Sequence, residues 1–178
     1  MRVVAGEARG RRLTARLPAH VRPTTDLVRE AVFSSLEARF GVEGAVVCDL
    51  YCGSGAMGIE ALSRGATSCA FVDDDPACLR AARRNLEAVG LASRAARFVR
   101  ARLPGWRPDG PVDLVCCDPP YGEVDVAALL DGVEARVVVL ETDRALDAPR
   151  GWKTSGVHRY GGTLVTMLIP KRDGAART

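Results

Sequence analysis

The apolar residues of this chain recur with two periods, and segments of each period alternate along the sequence. Spacings of three or four predict helices at residues 24–40, 56–65, 75–90 and 124–133. Short, mostly apolar runs predict strands at residues 45–50, 68–73, 96–100, 112–117 and 135–141. Two further strands, 156–160 and 163–169, flank Gly161-Gly162, which is typical of a hairpin turn. This order predicts a doubly wound α/β sheet whose last two strands are antiparallel.

The N-terminal residues do not belong to the alternating pattern. The stretch RVVAGEARGRRL (2–13) predicts two short strands around a glycine-bearing turn, a small β-hairpin ahead of the main domain. We therefore expect a hairpin extension over residues 1–20, a main domain over 21–170 and a flexible tail over 171–178.

Composition adds the expected compartment and the state of the cysteines. The chain has 178 residues, 47% of them apolar, and a mean hydropathy of +0.01, which favours one globular domain. It shows neither a long apolar span nor a signal peptide, so we expect a cytoplasmic protein without a membrane partner. The six cysteines lack paired C-x-x-C spacing, which favours buried thiols and no metal. No stretch requires a second copy, so we expect a monomer.

Charge is unevenly distributed along the chain. The net charge is +3, yet residues 1–30 alone carry seven arginines against three acids. Because arginine pairs with phosphate in a bidentate manner, this segment favours a polyanionic partner. We expect four of these residues to contact nucleic acid, namely Arg9, Arg11, Arg12 and Arg22. The alternative is that the segment is an ordinary solvated arm. Cofactor binding is not expected to depend on this arm, because the glycine-rich loop lies elsewhere in the sequence.

The first chemical motif is the glycine-rich stretch DLYCGSGAMG. It spaces Gly53, Gly55 and Gly58 as G-x-G-x-x-G between a strand and a helix, and Asp73 follows Gly53 by 20 positions. The glycines allow a ligand to approach the backbone, and an acid at that interval can accept hydrogen bonds from ribose hydroxyls. This spacing fits a dinucleotide site and a methyl-donor site equally well.

Asp49 favours the methyl donor. It precedes Gly53 by four positions at the end of a predicted strand, where a pyrophosphate would meet an unfavourable carboxylate. S-adenosylmethionine instead presents an α-ammonium and a sulfonium. We therefore assign the cofactor to Asp49, Gly53, Gly55 and Asp73, and we disfavour a nicotinamide-dependent oxidoreductase.

The second motif is Asp118-Pro119-Pro120-Tyr121, directly after a predicted strand. Methylation of an exocyclic amino group needs acceptors aimed at its two N–H bonds, so that the nitrogen lone pair becomes available. The Asp118 carboxylate and the rigid Pro119 carbonyl are suitable acceptors, and Tyr121 offers a ring on which a base stacks, worth about 1–3 kcal/mol. We expect Asp118, Pro119 and Tyr121 to be the catalytic residues.

With these motifs the chain resembles the bacterial small-subunit (16S) rRNA guanine-N2 methyltransferases of the RsmD type. The resemblance extends from GEARGRRL through RPTTDLVRE and the glycine loop to DPPYG. It implies a seven-stranded Rossmann-like methyltransferase sheet, S-adenosylmethionine as the cofactor, and a guanine N2 in 16S rRNA of the small ribosomal subunit as the acceptor. One departure is Arg102, which stands where this family commonly has a small polar or acidic residue near the adenine; backbone groups are the alternative contact.

Three other activities fit parts of the pattern. A DNA adenine-N6 or cytosine-N4 methyltransferase shares the DPPY logic, but no target-recognition insertion follows Tyr121. A protein-amide methyltransferase would more often carry Asn at position 118 and would not need a basic arm. A non-catalytic RNA-binding protein would not need to retain both Asp118 and the glycine loop.

Overall fold

The computed structural model describes residues 1–15, 25–120 and 125–171, and within these ranges it contains four helices and seven strands. The helices are α1 (Asp26–Arg39), α2 (Ala56–Ser63), α3 (Pro76–Ala88) and α4 (Val126–Leu130). The strands are β1 (Val46–Leu50), β2 (Ser68–Asp73), β3 (Ala95–Arg100), β4 (Val112–Cys117), β5 (Ala135–Thr142), β6 (Trp152–Tyr160) and β7 (Thr163–Pro170).

The strands form one sheet in the order β3-β2-β1-β4-β5-β7-β6. Strands β1 to β5 are parallel to one another, and β7 runs antiparallel to both β5 and β6. The predicted doubly wound α/β sheet with a terminal antiparallel hairpin is therefore confirmed. The chain order reverses between β1 and β4, the point at which open α/β sheets bind their ligands.

Most predicted boundaries agree with the structure to within one or two residues. Helix α3 starts as its sequence indicates, because Asp75 Oδ1 accepts the N–H of Ala77 at 2.7 Å and Pro76 occupies the first turn. Helix α4 is shorter than predicted. Strand β6 begins at Trp152 rather than residue 156, since Trp152 is buried and pairs with Pro170 of β7 despite the polar residues that follow it.

Helices pack on both faces of the sheet. One face carries α1, α2 and α3, whose apolar residues pack against β-strand residues such as Val47 and Phe71. The other face carries α4, which packs with Cys48 and Val72. The connection between β3 and β4, residues 101–111, contains no helix.

The N-terminal segment, defined as residues 1–15, differs from the predicted hairpin. It makes one isolated antiparallel bridge, between Arg2 and Arg12, with flanking backbone hydrogen bonds such as that from the Val3 N–H to the Arg11 carbonyl (3.0 Å), a shorter pairing than two full strands. The residues that follow the bridge are held on α2 instead: Glu60 accepts the N–H groups of Val4 (2.8 Å) and Ala5 (3.0 Å), which satisfies these two donors without a partner strand. Apolar residues of the segment also enter the core beneath it, namely Val3, Ala8 and Leu13.

The cysteines and the helix lengths add two findings. All six cysteines are buried and free, as predicted. Burial raises the pKa of the Cys48 thiol to about 12, so it stays protonated at neutral pH. In the ranges that the structure describes, no helix combines the length and hydrophobicity needed to cross a bilayer.

Candidate functional site

Three predicted site carboxylates meet at the carboxyl ends of neighbouring strands. Strand β1 lies between β2 and β4, and Asp49 is aligned with Phe71 on one side and Cys116 on the other. Asp73 and Asp118 each lie two residues beyond those partners, about 7 Å further along the strand direction. The sheet thus places Asp49, Asp73 and Asp118 in one row, which we call the acid row.

The glycine loop between β1 and α2 is held against this row. The Gly53 N–H donates to Asp73 Oδ2 at 3.0 Å, and the Gly55 N–H donates to the Cys52 carbonyl at 2.7 Å. Gly53 and Gly55 have φ of 51° and 75°, a left-handed conformation that favours glycine. A Cβ on Gly55 would lie 2.8 Å from the Cβ of Ala82 on α3, so larger residues are excluded there.

Gly58 has a packing role in the same motif. A Cβ on Gly58 would lie 2.4 Å from Phe71 Cε1 and 2.6 Å from Cys69 Sγ, so only glycine lets α2 approach β2 this closely. Its N–H also donates to Asp49 Oδ2 at 2.9 Å. Gly58 therefore joins the helix to the acid row by both packing and a hydrogen bond.

Burial makes Asp49 and Asp73 costly to ionise. Asp49 is only 4% exposed, and its desolvation raises its pKa to about 8; the Gly58 N–H opposes this shift, while the charges of Asp118 and Asp73 add to it. Desolvation also raises the pKa of Asp73, and N–H bonds from Gly53 and Asp75 lower it. A cation placed beside these carboxylates would relieve both the burial cost and their mutual repulsion.

The acid row and the glycine loop fit S-adenosylmethionine better than a dinucleotide. The sulfonium and α-ammonium are cations, whereas a pyrophosphate would add negative charge beside Asp49. Each Asp73 carboxylate oxygen accepts one backbone N–H, from Gly53 or Asp75, and an oxygen of this kind can accept a further bond from a ribose hydroxyl. The donor and acceptor chemistry of the site therefore suits this cofactor.

Asp118 and Pro119 lie one and two residues past β4, beside the end of β1. The Asp118 N–H donates to the Leu50 carbonyl over 3.5 Å, which ties the two strand ends together. Asp118 is half-buried and Pro119 is buried. Tyr121 lies outside the described residues, so its stacking role stays a prediction.

The predicted nucleic-acid contacts lie on the N-terminal segment or outside the described residues. Arg9 and Arg12 are exposed on that segment. Arg11 is also exposed, but its Nη1 donates to the Val89 carbonyl at 2.6 Å, just past the end of α3. Arg22 falls outside the described residues. These four roles stay predictions.

Arg102 lies in the connection after β3, and its side chain is exposed. The neighbouring Ala101 N–H donates to the Asp73 carbonyl at 3.1 Å, so backbone rather than side chain joins this connection to the acid row. That backbone groups contact the adenine, in place of a side chain at position 102, stays a prediction.

Sequence reasoning missed three residues near the site. Tyr51 has a φ of 55°, which a bulky residue rarely adopts, directly before the glycine loop. Glu141 is a buried acid near the carboxyl end of β5, and its position after the apolar run VVVL could have revealed it, as with Asp49. Asn85 is fully buried on α3 next to the loop; an Asn inside a helix pattern carries no such signal.

Comparisons with known proteins show the family. The model of the family described as Conserved hypothetical protein 95 matches residues 1–169. A relative from Bacillus subtilis, "Putative rRNA methyltransferase YlbH", is 36% identical over 84% of this chain and 86% of its own. "Ribosomal RNA small subunit methyltransferase D" of Haemophilus influenzae is 28% identical over 90% of this chain and 91% of its own.

A solved structure agrees with this result. The Escherichia coli protein yhhF superposes with a TM-score of 0.79 and 25% identity, covering 97% of this chain and 99% of its own. The similarity thus includes the N-terminal segment, the glycine loop and the terminal hairpin. The chain belongs to the Conserved hypothetical protein 95 family, which confirms the RsmD-type membership that its motifs predict.

Proposed function

We propose that this protein transfers a methyl group from S-adenosylmethionine to the exocyclic N2 of a guanine in 16S rRNA of the small ribosomal subunit. One observation carries the proposal: the sheet order brings Asp49, Asp73 and Asp118-Pro119 to the ends of three adjacent strands. These residues combine two halves in one site: a half that binds the cationic cofactor and a half that binds the amino group of the base. The relatives named as rRNA methyltransferases support the choice of RNA.

The cofactor half of the site consists of Asp49, Asp73 and the glycine loop. The Asp73 carboxylate oxygens accept hydrogen bonds from the ribose hydroxyls, and the Asp49 carboxylate interacts with the sulfonium and the α-ammonium. Gly53 and Gly55, whose positive φ values favour glycine, have no side chains, so the loop backbone is open to the ligand at these two positions. When bound, S-adenosylmethionine supplies an electrophilic methyl group.

The base half of the site consists of Asp118 and Pro119. Asp118 accepts one N–H of the guanine amino group, and the Pro119 carbonyl accepts the other, which draws the nitrogen toward tetrahedral geometry. The buried Pro119 ring keeps that carbonyl rigid. Because the nitrogen becomes strongly acidic once methylated, Asp118 or water can take its proton after the transfer.

A guanine must leave its stack to reach this site, which costs a few kcal/mol. Arginines on the N-terminal segment, such as exposed Arg9 and Arg12, would offset part of this cost by contacting phosphates. We expect a cytoplasmic enzyme that acts as a monomer.

The test is methyl transfer from labelled S-adenosylmethionine to three substrates, followed by nucleoside analysis. The substrates are small ribosomal subunits lacking the modification, naked 16S rRNA and duplex DNA. We expect labelled N2-methylguanosine from one or both RNA substrates and none from DNA. Labelled N6-methyladenine or N4-methylcytosine from DNA would establish the alternative activity, and Asp118→Ala serves as the inactive control.

A further inference from the structure

Asn85 joins three parts of the molecule that are distant in sequence. Its side chain is fully buried on α3. The Asn85 Nδ2 donates to the Ser54 carbonyl at 2.9 Å, and Asn85 Oδ1 accepts the Ala15 N–H at 2.9 Å. Only this amide orientation satisfies both partners, since Ser54 offers an acceptor and Ala15 a donor.

Ser54 lies at the centre of the glycine loop and receives this contact. It lies between Gly53 and Gly55, which have wide backbone freedom and therefore define the loop weakly by themselves. The Ser54 residue is buried, and a buried carbonyl without a donor costs free energy comparable to a lost hydrogen bond. Asn85 supplies that donor and so holds the centre of the glycine loop from the side of α3.

The N-terminal segment completes this support. The buried Asn85 oxygen needs its own donor, and Ala15 at the end of the segment provides it. The same segment is held on α2, where Ser63 Oγ accepts the Ala8 N–H at 3.0 Å and Glu60 accepts two further N–H groups. Residues 1–15 thus contact both helices that flank the glycine loop.

We propose that Asn85 is a positioning residue for the cofactor loop, and that it makes the N-terminal segment part of the cofactor site. The inference rests on the proposed function for the identity of the cofactor. It replaces the expectation that cofactor binding is independent of the N-terminal arm. The connection runs from the Ala15 N–H through the Asn85 amide to the Ser54 carbonyl.

The first test is Asn85→Asp, which keeps an oxygen for Ala15 but replaces the donor to Ser54 with a second acceptor. Hydrogen exchange of the ligand-free protein reports loop order directly at the Gly53 and Gly55 amides. We expect both amides to exchange faster than in the wild type. Calorimetric affinity for S-adenosylmethionine should fall about tenfold, the equivalent of one hydrogen bond.

A second pair of variants tests the segment half without altering the buried helix position. Ala15→Pro removes the N–H that Asn85 accepts, whereas Ala15→Gly keeps it. We expect Ala15→Pro to accelerate loop exchange and weaken cofactor binding several-fold, and Ala15→Gly, which keeps the N–H, to have a clearly smaller effect on both. Thr67→Val is the general control, because it removes a 2.9 Å hydrogen bond to the Gly44 carbonyl near the amino end of β2.

The outcomes separate this inference from the proposed function. Unchanged loop exchange in both Asn85→Asp and Ala15→Pro would overturn the positioning role, whatever the protein binds. Equal cofactor loss in Thr67→Val and Asn85→Asp would also overturn it, because general destabilisation would then explain the effect. A third outcome is faster loop exchange in the variants together with no binding of S-adenosylmethionine by the wild type. It would support the role of Asn85 and contradict the proposed function instead.

Discussion

Binding of the cofactor should release a proton from Asp49. In the ligand-free protein, burial holds the pKa of this carboxyl at about 8. A cation beside it stabilises the carboxylate, so the bound form should be ionised. At pH 6.5 a carboxyl with that pKa is about 97% protonated, and binding therefore releases nearly one proton.

The size of the effect follows from two titrations. The α-amino group of the cofactor, with an ordinary pKa of about 7.8, takes up only about 0.05 proton at pH 6.5 if it binds as the ammonium. The net release is therefore about 0.9 proton. By linkage, the dissociation constant should fall about eightfold between pH 6 and pH 7, because the ionised form binds and rising pH favours it.

Isothermal titration calorimetry at pH 6.5 in two buffers of different ionisation enthalpy measures the proton release directly. Dissociation constants at pH 6 and pH 7 provide an independent check. Asp49→Asn is the matched control, since an amide does not titrate, and it should lose the part of the release that comes from residue 49. A wild-type release below about 0.3 proton, with a pH-independent dissociation constant, would mean that Asp49 is already ionised before binding and would refute the reasoning.

Three further predictions concern the base site, the RNA surface and the packing of α2. Asp118→Ala should lose far more single-turnover activity than Asp118→Asn, which keeps an uncharged acceptor; equal, near-complete loss in both would instead make Asp118 an obligatory general base. Replacing exposed Arg9 and Arg12 with Ala should weaken RNA binding and lower its salt slope by about 1–2. The charge-matched control replaces exposed Arg136 on β5 and Arg159 on β6, and an unchanged slope in the Arg9 and Arg12 variant would make these two residues solvated surface. Gly58→Ala should lower the free energy of unfolding by about 1–3 kcal/mol, because the added Cβ overlaps Phe71. Denaturant unfolding measures this change, and an unchanged midpoint would contradict the packing role.

The sequence predicted the parts of this site that local chemistry dictates. The glycine spacing indicated a tight turn, and the apolar runs that precede Asp49 and Asp118 indicated strand ends. Asp75-Pro76 marked the start of α3, where the structure places it. These features depend on neighbouring residues alone, so one-dimensional patterns carry them.

Contacts between distant residues could not be predicted in the same way. The predicted N-terminal hairpin is reduced to one bridge with flanking backbone hydrogen bonds, and beside it the N–H groups of Val4 and Ala5 bond to Glu60 of α2, more than fifty positions away. The exposed Arg11, one of the proposed phosphate contacts, donates to the Val89 carbonyl. No local sequence pattern predicts either hydrogen bond.

The sequence by itself determined the fold class and the strand ends that carry the acids, because periodicity and residue type encode them. Only the tertiary structure decided which strand lies beside which, and it thereby placed Asp49 between Asp73 and Asp118. It also set the raised pKa of Asp49, which depends on how completely the sheet and α2 remove water. The link from Ala15 through Asn85 to Ser54 arises in the same way, since buried polar groups must find partners wherever packing places them.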